Sequence, residues 1–139
     1  MNKKKVIVVV AILLSIVFLS GCQEETVESG IPDNITLESD IVELVYAEIV
    51  EHMEYGNVKQ VDVQYLFKNI VDRRINFYVT AEFYDAENNS LFTDSRTFTG
   101  ILEGHVETVV SPTANVISFN DVNASKVDHV LLKTEEFDL

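Results

Sequence analysis

The chain has 139 residues, of which 23 are acidic and 10 are basic, which gives a formal net charge of −13 at pH 7. That length corresponds to one domain, and so acidic a surface repels the phosphates of nucleic acids and of anionic lipids, which excludes a nucleic-acid partner. Because Cys22 is the only cysteine, the sequence also excludes an internal disulfide, a zinc site built from several thiolates and an iron–sulfur cluster.

The first 21 residues have the pattern of an export signal. Three lysines precede an apolar run from Val6 to Leu19. At ~1.5 Å per residue this run covers about 21 Å, which is shorter than the ~30 Å hydrocarbon core of a bilayer. Small residues follow at once, as they do in a cleaved signal peptide. An uncleaved helical anchor is the alternative, and it gives the same outward topology.

The segment Leu19-Ser-Gly-Cys22 resembles the lipobox of lipoprotein precursors. The resemblance implies cleavage between Gly21 and Cys22, and attachment of a diacylglycerol with acyl chains such as palmitate to the Cys22 thiol. Each buried methylene contributes about 0.8 kcal/mol, so two chains give a permanent anchor. We therefore expect a protein held by membrane lipid on the extracytoplasmic face of the cell membrane. Cleavage removes three lysines and no acid, so the net charge changes from −13 to −16.

Residues 22–38 follow the signal and are polar, acidic and interrupted by Gly30 and Pro32. This composition cannot bury a core, and it predicts a flexible tether. As a coil, the sixteen residues after Cys22 have a root-mean-square reach of roughly 20–25 Å. Residues 39–139 are then the folded domain.

Segment 40–53 is consistent with two structures. Asp40 and Glu43 have the spacing of a helical capping box, and Ile41, Leu44 and Ile49 recur roughly at helical spacing. The same residues include an alternating stretch around Ile49 and are rich in β-branched side chains, which suits a buried strand. We predict a strand and keep the helix as the alternative.

Alternation of apolar and polar residues is clearest in two runs. Ile75–Asp85 places five apolar residues on one face of a strand, and Val61–Phe67 alternates in the same way. The intervening Asn69–Arg73 is short enough for a hairpin loop. We therefore expect these two strands to pair antiparallel.

Further strand-like runs, each bounded by turn-forming residues, are Ser90–Phe98, His105–Val110 and Lys126–Lys133. Turns therefore recur about every 8–15 residues, in a sequence enriched in β-branched and aromatic side chains. This rhythm predicts an all-β fold, an immunoglobulin-like antiparallel β-sandwich of about seven strands.

Part of the domain resembles a known family. The run Val79-Thr-Ala-Glu-Phe-Tyr-Asp-Ala-Glu-Asn-Asn-Ser-Leu91, preceded by Lys68-Asn69 and followed by Leu102-Glu-Gly-His-Val106, is similar to FxLyD-type immunoglobulin-like domains of bacterial and archaeal lipoproteins. The resemblance covers about residues 41–135. It implies that Asp85 caps a tight turn, and that the module binds a partner or acts as a spacer at the cell surface without catalysis. Asn88 stands where the family usually has glycine, and asparagine also adopts the left-handed conformation.

Asp85, Glu87 and Asn89 have the spacing of the first three ligands of a calcium loop. An EF-hand is excluded, because Ser90 replaces the required glycine and Arg96 replaces the bidentate glutamate. A looser calcium site at this turn remains an alternative to simple turn capping.

The sequence contains no other recognisable site. The three histidines are isolated, and no serine elbow or phosphate-binding loop occurs, so we expect no enzyme, no metal and no cofactor. A carboxylate pair for glycoside hydrolysis is a further alternative that a sequence cannot test. Tyr78 and Tyr84 share the face of a strand opposite its apolar residues, and form a candidate aromatic recognition pair.

The sequence therefore predicts a non-catalytic, lipid-anchored interaction or spacer module of the cell envelope. Its expected partners are membrane lipid, through Cys22, and a protein or cell-wall component. The alternatives are a lipoprotein that binds calcium or a small ligand, and a small hydrolase.

Overall fold

The structure is a computed structural model that describes residues 30–105 and 115–138. These residues form seven strands and one short 3₁₀ helix, Ala124–Lys126. The strands are β1 (Ile35–Glu38), β2 (Val42–Glu54), β3 (Asn57–Asn69), β4 (Ile75–Tyr84), β5 (Ser90–Ile101), β6 (Val116–Asn120) and β7 (His129–Glu136). Within the described ranges, no helix has the length and apolar character needed to cross a membrane.

The strands form two sheets, one of four strands in the order β1-β7-β4-β5 and one of three strands in the order β2-β3-β6. The predicted all-β sandwich of about seven strands is therefore confirmed. Its pairs are antiparallel except that β1 runs parallel to β7, with Ile35 opposite Val130. The sequence pattern did not predict this parallel pair.

Segment 40–53 is a strand rather than a helix. Residues from Val42 onward pair with β3, and the two strands form a long hairpin closed by Tyr55 and Gly56. Both turn residues have positive φ, 49° and 81° respectively, as a type I′ turn requires. The predicted strand is confirmed and the helical alternative is excluded.

The predicted antiparallel pairing of β3 with β4 is wrong. β3 pairs with β2 and β6, whereas β4 pairs with β5 and β7, so the chain passes from one sheet to the other between Asn69 and Ile75. Alternation shows that a strand has one buried face, but it does not show which neighbour the strand pairs with. The short connection is an arch between sheets instead of a hairpin loop.

The side chain of Asn69 holds this arch in place. Asn69 is 1% exposed, and its amide nitrogen donates hydrogen bonds to the backbone oxygens of Arg73 (2.7 Å) and Ile101 (3.1 Å). Its amide oxygen accepts from the backbone N–H of Val71 (2.9 Å). One buried side chain therefore satisfies three backbone groups where the chain changes sheets, which a buried turn requires.

The folded domain begins earlier than the boundary at residue 39 that we predicted. Ile35 is 4% exposed and lies in the core, and Ile35–Glu38 forms β1 at the edge of the four-stranded sheet. The short polar context of Ile35 conceals this strand in the sequence. The predicted signal peptide, residues 1–21, and its cleavage site at Gly21 and Cys22 lie outside the described residues. The same is true of residues 106–110 of the predicted strand that starts at His105. The last strand begins at His129, three residues later than predicted, because the 3₁₀ helix comes first.

Aromatic side chains fill the space between the sheets. Phe77 of β4 stacks on Phe98 of β5 with ring centroids 5.0 Å apart, and both rings meet Phe67 of β3 edge-on at about 6 Å. At the other end of the sandwich, Phe83 of β4 lies 5.9 Å from Phe119 of β6. Because the same two sheets touch at both ends, their strands run alongside one another.

The chain enters the sandwich at one end. The Asn34 side-chain amide donates to the backbone oxygen of Asp128, and the Asp128 N–H donates to the backbone oxygen of Tyr84 (2.8 Å). β6 also ends here, at Asn120, before the chain returns along β7. We call this the proximal end. The opposite end, where β3 and β7 finish at Asn69 and Glu136, is the distal end.

The arch makes a specific prediction for Asn69→Asp. The substitution keeps the shape of the side chain but removes both amide donors, so two backbone oxygens lose their partners beside a buried negative charge. We expect the free energy of unfolding to fall by about 2–4 kcal/mol, measured as a lower urea midpoint at an unchanged m-value. The control Asn120→Asp changes an exposed asparagine and should shift stability by less than about 0.5 kcal/mol. Equal midpoints for the two variants would show that the arch does not depend on Asn69.

Candidate functional site

The first candidate site is the turn between β4 and β5, where the structure brings Asp85 and Asn89 together. One carboxylate oxygen of Asp85 accepts the backbone N–H groups of Glu87 (3.0 Å) and Asn89 (2.8 Å), and the Asn89 side-chain amide contacts both carboxylate oxygens. Asn88 has φ 63°, in the left-handed region. Asp85 therefore caps the turn, and Asn88 takes the backbone conformation that the family resemblance assigns to this position.

The same contacts determine the pKa of the Asp85 carboxyl group. The pKa of Asp85 lies below its usual range, chiefly because the Asn89 side chain and then its backbone N–H hydrogen-bond to the ionised form. Both carboxylate oxygens of Asp85 are therefore engaged by N–H donors, and Glu87 contributes its backbone rather than its carboxylate to these hydrogen bonds. Across the described ranges, no three His, Cys, Asp or Glu side chains converge in a way that could hold a metal ion.

Tyr78 and Tyr84 lie on the outer face of β4, as predicted, but they do not form an aromatic pair. They lie six steps apart along the strand, which is roughly 20 Å. Tyr78 stacks on Phe137 with centroids 4.5 Å apart, and Tyr84 stacks on His129 at 5.2 Å. The two tyrosines therefore belong to separate local clusters at opposite ends of the sheet.

The proximal tyrosine is part of a polar cluster. The Tyr84 hydroxyl donates to Glu82, and the Lys133 ammonium contacts both oxygens of the same carboxylate at 3.1 Å. The hydrogen bond from Tyr84, followed by the one from Lys133, lowers the pKa of Glu82. Glu82 is therefore held in its ionised form, and a carboxylate held in this way is a poor proton donor.

An open cavity of about 520 Å³ lies at the distal end, lined by Arg73, Glu136, Phe137 and Asp138. Sequence reasoning missed it, because Arg73 was placed in a hairpin loop and Phe137 lies beyond the predicted last strand. Arg73 and Glu136 form a two-point ion pair, and this contact lowers the pKa of Glu136. A general acid in a glycosidase needs a raised pKa, so Glu136 lacks the property that the hydrolase hypothesis requires.

A buried carboxylate on the outer face of the three-stranded sheet was also missed. Asp62 of β3 accepts a hydrogen bond from Gln60 at Oδ1 (2.7 Å), its Oδ2 lies 2.7 Å from Nε2 of His52, and the Ser118 side chain also hydrogen-bonds to the carboxylate. The Asp62 side chain is only 10% exposed. The hairpin brings His52 and Asp62 together across ten residues, so the proximity depends on a register that the isolated histidine did not reveal.

Two opposing effects set the pKa of Asp62. Burial acts to raise the pKa, but the hydrogen bonds from Ser118, Gln60 and His52 together outweigh it and lower the pKa. The group therefore stabilises this sheet as a carboxylate. The arrangement differs from a catalytic triad, because the carboxylate lies between the serine and the histidine, whereas a triad places the histidine in the centre.

Comparisons with protein-family models, curated proteins and solved structures gave no match. The resemblance to FxLyD-type domains therefore stays a prediction from the quoted residues.

The Asp62 cluster predicts a pH-dependent effect of Asp62→Asn. Since the folded-state pKa lies below the unfolded value of about 3.9, the stabilisation is present above about pH 4 and is lost as the pH falls through the lowered pKa. We expect Asp62→Asn to unfold about 1–2 kcal/mol more easily than the wild type at neutral pH, with a difference that shrinks in acid. Urea titrations across the pH range measure this. Glu51→Gln, an exposed neighbour, is the control, and a pH-independent difference at Asp62 would refute the assignment.

Asp85→Ala tests the turn. Asp85→Asn keeps one acceptor oxygen, so melting temperatures should fall in the order wild type, Asp85→Asn, Asp85→Ala. Glu87→Ala should melt like the wild type, because only the backbone of Glu87 takes part, and calcium should leave all four proteins unchanged. A melting temperature raised by calcium in the wild type but not in Glu87→Ala would instead establish the calcium alternative.

Proposed function

We propose that this protein is a lipoprotein of the cell envelope, anchored through an acylated Cys22, in which the β-sandwich is a non-catalytic interaction or spacer module. The observation that carries the proposal is the N-terminal pattern: three lysines, an apolar run too short to span a bilayer, and small residues immediately before the only cysteine. No other segment of the sequence specifies a cellular location as sharply.

The described domain is compatible with a role outside the cytoplasm. Its two sheets are joined by aromatic packing and by the buried Asn69 arch, neither of which needs a disulfide or a bound metal. Among its outward-facing charges, the ion pairs within the described residues are separate from one another, such as Lys68 with Glu43 and Lys133 with Glu82. Dispersed pairs of this kind solvate a surface and contribute little to affinity for one particular ligand. This supports a module that presents a surface over one that encloses a substrate.

The position of the chain entry at one end of the sandwich also supports an anchored module. The chain enters at the proximal end, so a membrane anchor at Cys22 would leave the distal end as the part farthest from the bilayer. Ile70 and Leu102 are exposed there, at 50% and 42%, beside the cavity at Arg73 and Phe137. In the proposed arrangement this distal surface is the one available to a protein or cell-wall partner.

Labelling with palmitate tests the anchor. In a bacterial host that processes lipoproteins, the wild type should incorporate radiolabelled palmitate and partition into detergent, whereas Cys22→Ser should remain unlabelled. The double variant Cys22→Ser, Ser29→Cys keeps one thiol in the predicted tether, and it should also remain unlabelled because the lipobox is lost. Equal labelling of the wild type and Cys22→Ser, or no labelling of the wild type, would refute the proposal.

A further inference from the structure

The β2–β3 hairpin extends past the rest of the sandwich. β6 pairs with β3 only from Gln60 onward, so residues 57–59 and the β2 residues opposite them have no neighbour in the sheet beyond each other. Three further residues at ~3.3 Å carry the turn roughly 10 Å past the last residue paired with β6. Every residue from Glu51 to Asn57 is exposed. The ribbon therefore ends in solvent, with its turn as the tip.

The tip carries two large apolar side chains that are mostly exposed, and a third lies in the loop after β6. Tyr55 is 94% exposed and Met53 is 60% exposed, and Val122, in the loop after β6, is 84% exposed. Among the large apolar side chains of the described residues, these three are the most exposed. Exposed apolar residues grouped at one end of a domain mark a surface that contacts something else.

Tyr55 also occupies an unfavourable backbone conformation. Its φ of 49° is in the left-handed region, where the first position of a type I′ turn normally holds asparagine, aspartate or glycine. A tyrosine there costs stability, and its side chain, which is 94% exposed, packs against almost nothing in the sandwich. Strain at a fully exposed side chain is a reason to seek its role outside the domain.

The tip points toward the end of the sandwich where the chain enters. β2 starts opposite Asn69 at the distal end and runs back, so its turn lies at the proximal end with Asn34 and Asn120. Val122 is two residues after Asn120, in the loop that follows β6 at this end. All three exposed side chains are therefore at the end where the described part of the chain enters the sandwich.

The chain between Cys22 and the domain is short. Ile31 and Pro32 are half-buried, and the Pro32 oxygen accepts the backbone N–H of Ile35, so the segment from Gly30 lies against the sandwich. The eight steps from Cys22 to Gly30 span at most about 28 Å even when fully extended. If Cys22 is in the bilayer, the proximal end stays within a short distance of the headgroups. Tethering at this range gives a weak contact a high effective concentration.

We propose that the proximal end rests on the bilayer that holds the anchor, with Tyr55 and Met53 at the hairpin tip and Val122 beside them inserted among the lipid headgroups. This inference rests on the lipid anchor proposed above. Tyrosine suits the site, because its ring is amphipathic and favours the membrane–water interface. The tip also carries Glu51 and Glu54, so the surface it fits is one of zwitterionic headgroups, and anionic lipids weaken the contact.

The absence of tryptophan from the chain allows a direct test. Tyr55→Trp places one fluorophore at the tip, and Tyr78→Trp places one near the distal end as the matched control. The full-length acylated variants are reconstituted into phosphatidylcholine vesicles with or without bromine on the acyl chains. We expect brominated lipid to reduce the fluorescence of Tyr55→Trp about twofold and to leave Tyr78→Trp nearly unchanged. Replacing half of the lipid with phosphatidylglycerol should weaken the quenching of Tyr55→Trp.

Flotation of the vesicles separates the two proposals. Protein that floats while Tyr55→Trp is quenched no more than Tyr78→Trp overturns the contact at the tip and leaves the anchor standing. Protein that fails to float overturns the anchor and the contact together. The double variant Met53→Ser, Val122→Ser in the Tyr55→Trp background should reduce the quenching, because it removes the neighbouring apolar side chains. Unchanged quenching in this variant would also count against the proposed surface.

Discussion

The burial of one face of each sheet against the other is the constraint on which the rest of this domain depends. Phe67, Phe77 and Phe98 interlock at the distal end and Phe83 meets Phe119 at the proximal end, so the central strands β3 and β4 need largely apolar inner faces. With one cysteine in the sequence, this packing has no covalent support. Among the buried polar side chains, Asn69 is held by hydrogen bonds that use all of its side-chain polar atoms, whereas the side chain of Asn115 and the hydroxyl of Tyr65 are buried without a partner within the described residues.

The sequence predicted β2, β3, β4, β5 and β7 from their apolar and β-branched runs, but it predicted neither β1 nor β6. The alternation from Ile75 to Phe83 reappears as five buried side chains on β4, and the ambiguous segment 40–53 became a strand because it pairs along β3. The sequence was less informative about which strands pair with each other. Whether residues 69–73 form a hairpin or an arch depends on the buried hydrogen bonds of Asn69, which join residues as far apart as Ile101. β1 was missed because its pairing with the closing strand β7 supplies the stability that four residues lack.

The sequence predicted the role of a functional side chain correctly at the β4–β5 turn and at no other candidate site. The capping role of Asp85 is confined to five consecutive residues, so the sequence contains the information needed. The contact between His52 and Asp62 requires the register of a long hairpin, and the separation of Tyr78 from Tyr84 into two clusters requires the positions of Phe137 and His129. The exposure of Tyr55 follows from where β6 ends, which no local pattern specifies.

Together these features describe a β-sandwich with two unlike ends: a proximal end that receives the chain and carries the three most exposed large apolar side chains of the described residues, and a distal end with an open cavity. The proposed acylation of Cys22 is what connects the difference between the two ends to a function. The most direct test is the intact mass of the protein purified from bacterial membranes. The account predicts a chain that begins at Cys22 and carries the added mass of a diacylglycerol on that residue. A chain that begins at Met1, or a mature chain with a free thiol, would contradict it.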